Sequence, residues 1–204
     1  MATAKRRHHI KKNKPMGDIQ GDFNIVACDL SLRCPGFALI HYDSSTRQAS
    51  VLRKSCVKNR APNRKCHGQI LCEIKNEFAK YTSAQDVKVF VRERAFARYN
   101  YEVIVLNKVV GITDATLWDR RMSEFQELTP SEIKKHTTGF FRASKEEVAE
   151  VMPNYNVHEQ FETDDESDAC ACGIAWLVSN GYVDAVPLPK YEETYRINTA
   201  KEDK

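Results

Sequence analysis

Residues 23–30 read Phe-Asn-Ile-Val-Ala-Cys-Asp-Leu, an apolar run closing on an acid. A run of this length and composition marks a strand buried on both faces, where a carboxylate is costly unless it has a task. Working outward, Arg33-Cys34-Pro35-Gly36 supplies a turn, Phe37 to Tyr42 a second strand and Ala49 to Val57 a third. Asp43-Ser44-Ser45 gives hairpin turn chemistry between the last two. Two short connections in a row predict an antiparallel meander. Ile70, Leu71, Ile74 and Phe78 then recur at helical spacing. Val87 to Glu93 alternates as a strand, and Val103 to Trp118 is apolar at helical period with Gly111 as its weak point. Phe125 to Leu128 is a short strand. Thr129 with Glu132, Ser144 with Glu147 and Thr163 with Glu166 each have capping-box spacing. The last of these opens an Ala- and Cys-rich helix over Asp168 to Val178 that Gly181 ends. The predicted fold is α/β: a mixed five-stranded sheet, an antiparallel β1-β2-β3 meander followed by alternating helix and strand, with helices on both faces.

The chain has 204 residues, 42% hydrophobic and 29% charged, which fits one globular domain with tails. No apolar run approaches the roughly 18 residues of a membrane span, so no membrane partner is expected. No apolar segment of a secretory signal follows the basic start. Residues 1–22 carry six Lys or Arg against two Asp, whereas the remainder is close to neutral. The chain therefore divides into a basic flexible arm (1–22), a body (23–186) and a polar C-terminal tail (187–204). Basic arms of this kind contact nucleic acid or carry nuclear addresses. Seven cysteines without an export signal read as reduced, buried thiols, and with the missing signals they place the chain in the cytoplasm, a nuclear or organelle address in the arm aside. None of them makes a Cys-x-x-Cys pair, and no structural zinc is expected.

Four acids stand where solvated charges do not belong. Asp29 closes the first apolar strand, Glu93 closes the second strongly apolar one, and Asp165 and Asp168 lie three apart at the start of a helix, on one face. Singly, each has an ordinary reading as turn chemistry or as a complement to a helix dipole. Together, crowded carboxylates repel unless a cation neutralises them or some keep their protons. Hard divalent ions take such oxygen ligands, and a pair of ions can drive phosphodiester hydrolysis.

At these residues the chain resembles the RuvC-like Holliday junction resolvases of the ribonuclease H-like superfamily. The segment Ala27 to Ile40 is similar to the family's first strand, aspartate, small-residue turn and second strand. Val91-Arg92-Glu93-Arg94-Ala95-Phe96 is similar to the strand-end glutamate with a phenylalanine three residues on. Asp165-Glu166-Ser167-Asp168-Ala169-Cys170-Ala171 matches the closing D-x-x-D-A-x-A helix, and residues 132–139 with 143–146 resemble the lysine-bearing segment before it. Asp29-Leu30-Ser31 departs from the Asp-Pro-Gly of many bacterial members and is closer to the phage-type branch.

The resemblance implies that Asp29, Glu93, Asp165 and Asp168 hold two Mg²⁺ ions, with Mn²⁺ as a substitute, and that Lys145 joins them in catalysis. Lys145, with Lys134 or Lys135, would lie near the scissile phosphate. Phe96 would wedge against bases at a junction centre, with Arg92, Arg94 and Arg98 on a DNA-facing segment around it. It further implies a homodimer that resolves four-way and related branched DNA by paired symmetric nicks, through in-line attack by an activated water. The stretch Val103 to Trp118 serves equally as a dimer face or a core helix. The alternatives are another ribonuclease H-like nuclease, acting on hybrids or branches in general, and a non-catalytic DNA-binding clamp.

Overall fold

The computed structural model describes residues 19–59, 66–94, 100–158, 160–193 and 195–196. Strands β1 (Phe23–Asp29), β2 (Gly36–Asp43) and β3 (Gln48–Cys56) form the antiparallel meander. Helix α1 (His67–Thr82) leads to β4 (Val87–Glu93), then α2 (Asn100–Asp119) and β5 (Gln126–Leu128). Helices α3 (Pro130–Thr138), α4 (Lys145–Val151) and α5 (Asp164–Ser179) complete the body. The sheet order is β3-β2-β1-β4-β5, with β1–β4 and β4–β5 parallel. The expected α/β mixed sheet is what forms.

Side-chain alternation divides the core into two halves. Ile25 and Ala27 of β1 and Val89 and Val91 of β4 pack beneath α5, among Ala169, Cys172, Ile174 and Leu177. Val26, Cys28 and Phe90 face the other way, onto Ile70, Ile74 and Phe78 of α1 and Val109 and Leu117 of α2. The same parity carries Asp29 and Glu93, one step beyond Cys28 and Arg92, onto the α5 face.

α5 lies unusually close to the sheet, and small residues make that possible. A Cβ on Gly173 would sit 2.4 Å from Ile40 Cδ1, and one on Gly36 would sit 1.9 Å from the Asp165 carbonyl oxygen. Those two contacts fix the height at which the first turn of α5 crosses the ends of β1 and β2.

Two expected capping boxes form in full: Thr129 with Glu132 on α3 and Ser144 with Glu147 on α4. The third forms by half. Thr163 accepts from the Glu166 N–H at 3.3 Å, but the Glu166 carboxylate turns to the Glu162 N–H instead. The first residues of the expected tail are tied to the body: Leu188 is buried and donates its N–H to the Thr138 carbonyl, and Tyr191 stacks on Phe140. At the other end, Ile19 donates its N–H to Tyr182 Oη at 2.8 Å. No helix among the described residues is long and apolar enough to cross a membrane.

The cysteines correct the expectation of uniformly reduced, buried thiols. Cys34 and Cys56 form a disulfide, because the antiparallel register sets the turn after β1 against the end of β3. Cys28, Cys170 and Cys172 are buried outside this bridge, whereas Cys66 and Cys72 are exposed. Cys72 sits on the outer face of α1, between the buried positions Ile70 and Ile74.

Candidate metal and nuclease centre

Parallel pairing of Cys28 with Arg92 brings the ends of β1 and β4 together, so Asp29 and Glu93 emerge side by side. The first turn of α5 adds Asp165 and Asp168, and the start of α4 adds Lys145. Asp29, Glu93 and Asp165 each sense the Asp168 carboxylate. Burial pushes the Asp29 carboxyl up to about 7, with Glu93, Asp168 and Asp165 adding to the rise and Lys145 opposing it. Burial, then Asp168, raises Glu93; burial, then Asp168, also raises Asp165. Lys145 Nζ donates to Asp168 Oδ2 at 2.5 Å, a bond that raises the lysine and keeps it charged, with Asp29 and Asp164 contributing.

This donor set fits hard divalent cations. It offers carboxylate oxygens alone, it carries more negative charge than it can hold without a cation, and it opens toward an exposed lysine. A ligand must be ionised to bind, so a cation that deprotonates Asp29 relieves the largest unfavourable charge burden here. No three of these four carboxylates bring their oxygens within 4.8 Å of one another. The group that does so, among the described residues, is Cys34, Cys56 and Asp165.

Of the two lysines of α3, Lys134 bears on Glu93 and favours its charged form. Arg94 hydrogen-bonds through its N–H to the Leu128 carbonyl, and its guanidinium pairs with Glu127 at 3.6 Å. Phe96 and Arg98 lie outside the described residues.

Arg92 corrects the expectation of a DNA-facing residue. It is 7% exposed, donates to Asp114 at 2.5 Å and to Glu127 at 2.8 and 3.0 Å, and lies 4.6 Å over the Phe125 ring. The reason is parity: beside Glu93 on one strand, Arg92 must face the opposite side of the sheet, toward α2.

A second buried charge went unread in the sequence. Glu166, 4% exposed and next to Asp165, pairs with Lys54 of β3 at 3.1 Å and accepts the Glu162 N–H at 3.0 Å. The capping-box spacing from Thr163 disguised it as a cap. The signal that could have exposed it is Lys54, which pairs across the sheet with Ala38 and so faces α5.

A mixed sheet in this order, carrying acids at the ends of its first and fourth strands and on its last helix, defines a nuclease core of the ribonuclease H-like class. The family model described as crossover junction endodeoxyribonuclease RuvC matches residues 25–176. The chain belongs to that family, whose members are divalent-metal-dependent, structure-selective, junction-resolving nucleases. Among solved structures it is similar to Thermus thermophilus RuvC in complex with a Holliday junction substrate, at 17% identity and a TM-score of 0.70, covering 81% of this chain and 99% of that one. It is also similar to the yeast mitochondrial Holliday junction resolvase, at 11% identity and a TM-score of 0.58, covering 89% and 86%. No curated protein matches.

Proposed function

We propose that this chain resolves four-way DNA junctions by paired symmetric nicks, with Asp29, Glu93, Asp165 and Asp168 holding two Mg²⁺ ions for which Mn²⁺ substitutes. The observation that carries the reading is the raising of Asp29, Glu93 and Asp165 at one sheet end, by burial first and then by neighbouring carboxylates, Asp168 among them in each case, with an exposed lysine beside them. When bound, such ions neutralise charge and lower the pKa of an attacking water. The chain's own residues do the rest. Asp29, deepest between the two strands, is the natural shared ligand. Lys145 orients Asp168 and presents positive charge where a phosphate arrives. Lys134 adds a second positive charge on the Glu93 side. Arg94, with Phe96 and Arg98 beyond it, and Lys135 extend the DNA-binding surface. The chain acts where DNA is accessible, in the cytoplasm of its host cell.

Paired nicks require two sites related by a two-fold axis, hence a homodimer. α2 supports that reading. Ile104, Gly111 and Trp118 recur every seven residues along one exposed stripe, with Lys108 and Ala115 between them. Trp118 is 83% exposed and rims a hollow of about 520 Å³ that Leu117, Met122 and Phe125 also line. Gly111 and Ala115 give the stripe a narrow waist across which a second copy of α2 can approach closely.

The test is nicking of a synthetic four-way junction and a matched linear duplex with Mg²⁺, by the full chain and by Asp29→Asn. Symmetric cuts confined to the junction, lost in the variant while junction binding persists, are expected. Equal cutting of both substrates removes the junction-specific reading; no cutting with either Mg²⁺ or Mn²⁺ leaves a DNA-binding clamp.

A further inference from the structure

The Cys34–Cys56 bridge lies at the edge of the acidic cluster, and the backbone places it there independently of its sulfur chemistry. The Val57 N–H donates to the Pro35 carbonyl at 3.2 Å, the Asn59 N–H to the Arg33 carbonyl at 2.9 Å, and Asn59 Nδ2 to the Leu32 carbonyl at 2.9 Å. These bonds lace the turn after Asp29 onto the end of β3, with the two Cα atoms 5.7 Å apart. On its other side the turn abuts α5. Gly36 packs against the Asp165 backbone, and both sulfurs lie within 4.8 Å of an Asp165 carboxylate oxygen. Cys34, Cys56 and Asp165 are all partly exposed, so a small thiol or disulfide can reach them.

We propose that Cys34 and Cys56 form a thiol-oxidation site that sets the affinity of Asp165 for its divalent cation, with the bridged form binding more tightly. The inference rests on the reading of Asp165 as a metal ligand. In the bridged form neither sulfur carries a proton, and the Asp165 oxygens keep their lone pairs for a hard cation. Reduction runs by thiol–disulfide exchange with a small thiol of the glutathione type. One small thiolate attacks a bridge sulfur and breaks the S–S bond, and a second displaces the protein sulfur from the mixed disulfide. Two small thiols thus become one small disulfide, and the protein gains two S–H groups. Each is a donor beside Asp165, and thiol sulfur is a poor ligand for a hard cation and does not compensate. A hydrogen bond that competes for the carboxylate weakens cation binding by about two- to tenfold.

The measurement is Mn²⁺ binding to the full chain by titration calorimetry, once after oxidised glutathione and once after a non-chelating phosphine. The bridge is scored by intact mass and alkylation mapping. The expected result is a Kd for Mn²⁺ about two- to tenfold higher in the reduced form, and no difference in the double variant Cys34→Ala/Cys56→Ala, which retains exposed Cys66 and Cys72. Equal affinities for the two wild-type forms, or a bridge that never forms, overturn the proposal, and neither result depends on a variant folding. A response retained in the double variant overturns it as well. Junction cleavage measured on the same samples separates the two readings: Mn²⁺ binding that follows the bridge without any cleavage sinks the nuclease reading and leaves this one standing. Mn²⁺ binding unchanged in Asp165→Asn removes the ligand on which it rests.

Discussion

Asp29 is a carboxyl at the end of a buried strand facing three others, and burial with those neighbours pushes it up to about 7. Replacing it by Asn removes the like charge and keeps the shape. Asp29→Asn should therefore raise the melting temperature measured in EDTA above that of the wild type at pH 8, and should abolish the rise that Mg²⁺ gives the wild type. Differential scanning calorimetry checks both; a variant less stable than wild type in EDTA would make Asp29 a structural residue. Lys54 and Glu166 answer to a different rule. Their ion pair is largely shielded, with side chains 19% and 6% exposed. Lys54→Met strands a buried charge and should cost about 3 kcal/mol in urea unfolding. Adding Glu166→Leu to it should recover most of that loss, because a well-packed apolar pair costs no desolvation. A double variant no better than the single one would assign the loss to packing.

At the scale of elements, the site depends on how closely α5 lies on the sheet. Gly36 is the critical contact, because the atom facing it is backbone and cannot rotate aside. Gly36→Ala should displace the first turn of α5, and with it Asp165 and Asp168, by a fraction of an ångström to an ångström. Misplacement on that scale costs on the order of 100-fold in rate. Junction cleavage should fall by about that factor while binding in a gel-shift assay stays within a few-fold. A variant that cuts normally would mean that α5 adjusts without moving its acids.

For the whole molecule, the acidic centre sets how stability follows pH. The folded-state pKa of Asp29 is raised from 3.8 to about 7, so between those values the folded protein holds a proton that the unfolded chain has lost. Its contribution is in full below about pH 4 and is lost as pH rises through about 7. Asp43 and Glu147, held down at about 2 by their hydrogen bonds, contribute in the opposite sense, but that contribution is complete by about pH 5. From pH 5 to 8 in EDTA the melting temperature should fall, and Mg²⁺ should restore it more at pH 8 than at pH 5. A flat or rising curve would place the cluster in a wetter environment than its burial indicates. Assembly has its own test at this scale. A side chain on Gly111 meets nothing within 4 Å, so Gly111→Leu leaves the folded subunit intact. It would also hold two α2 helices apart. Light scattering should report a dimer for the wild type and a monomer for the variant, and a dimeric variant would move the interface off this stripe.

The sequence by itself determined the element order, the mixed sheet, two of the three capping boxes and the four acids, because each is written in local periodicity or strand-end chemistry. Asp29 and Glu93 were legible because a charge closing an apolar run is visible without knowing what lies opposite. What only the tertiary structure decided concerns residues whose partners are distant in the chain. Arg92 reads as a basic residue beside a glutamate, and only strand parity shows that it faces α2 rather than DNA. Glu166 reads as a cap, and only the approach of β3 supplies Lys54 as its partner. Cys34 and Cys56 are 22 residues apart, and only the register of β2 on β3 sets them together beside Asp165. Periodicity encodes which face a residue takes, whereas pairing depends on which faces the folded sheet brings into contact.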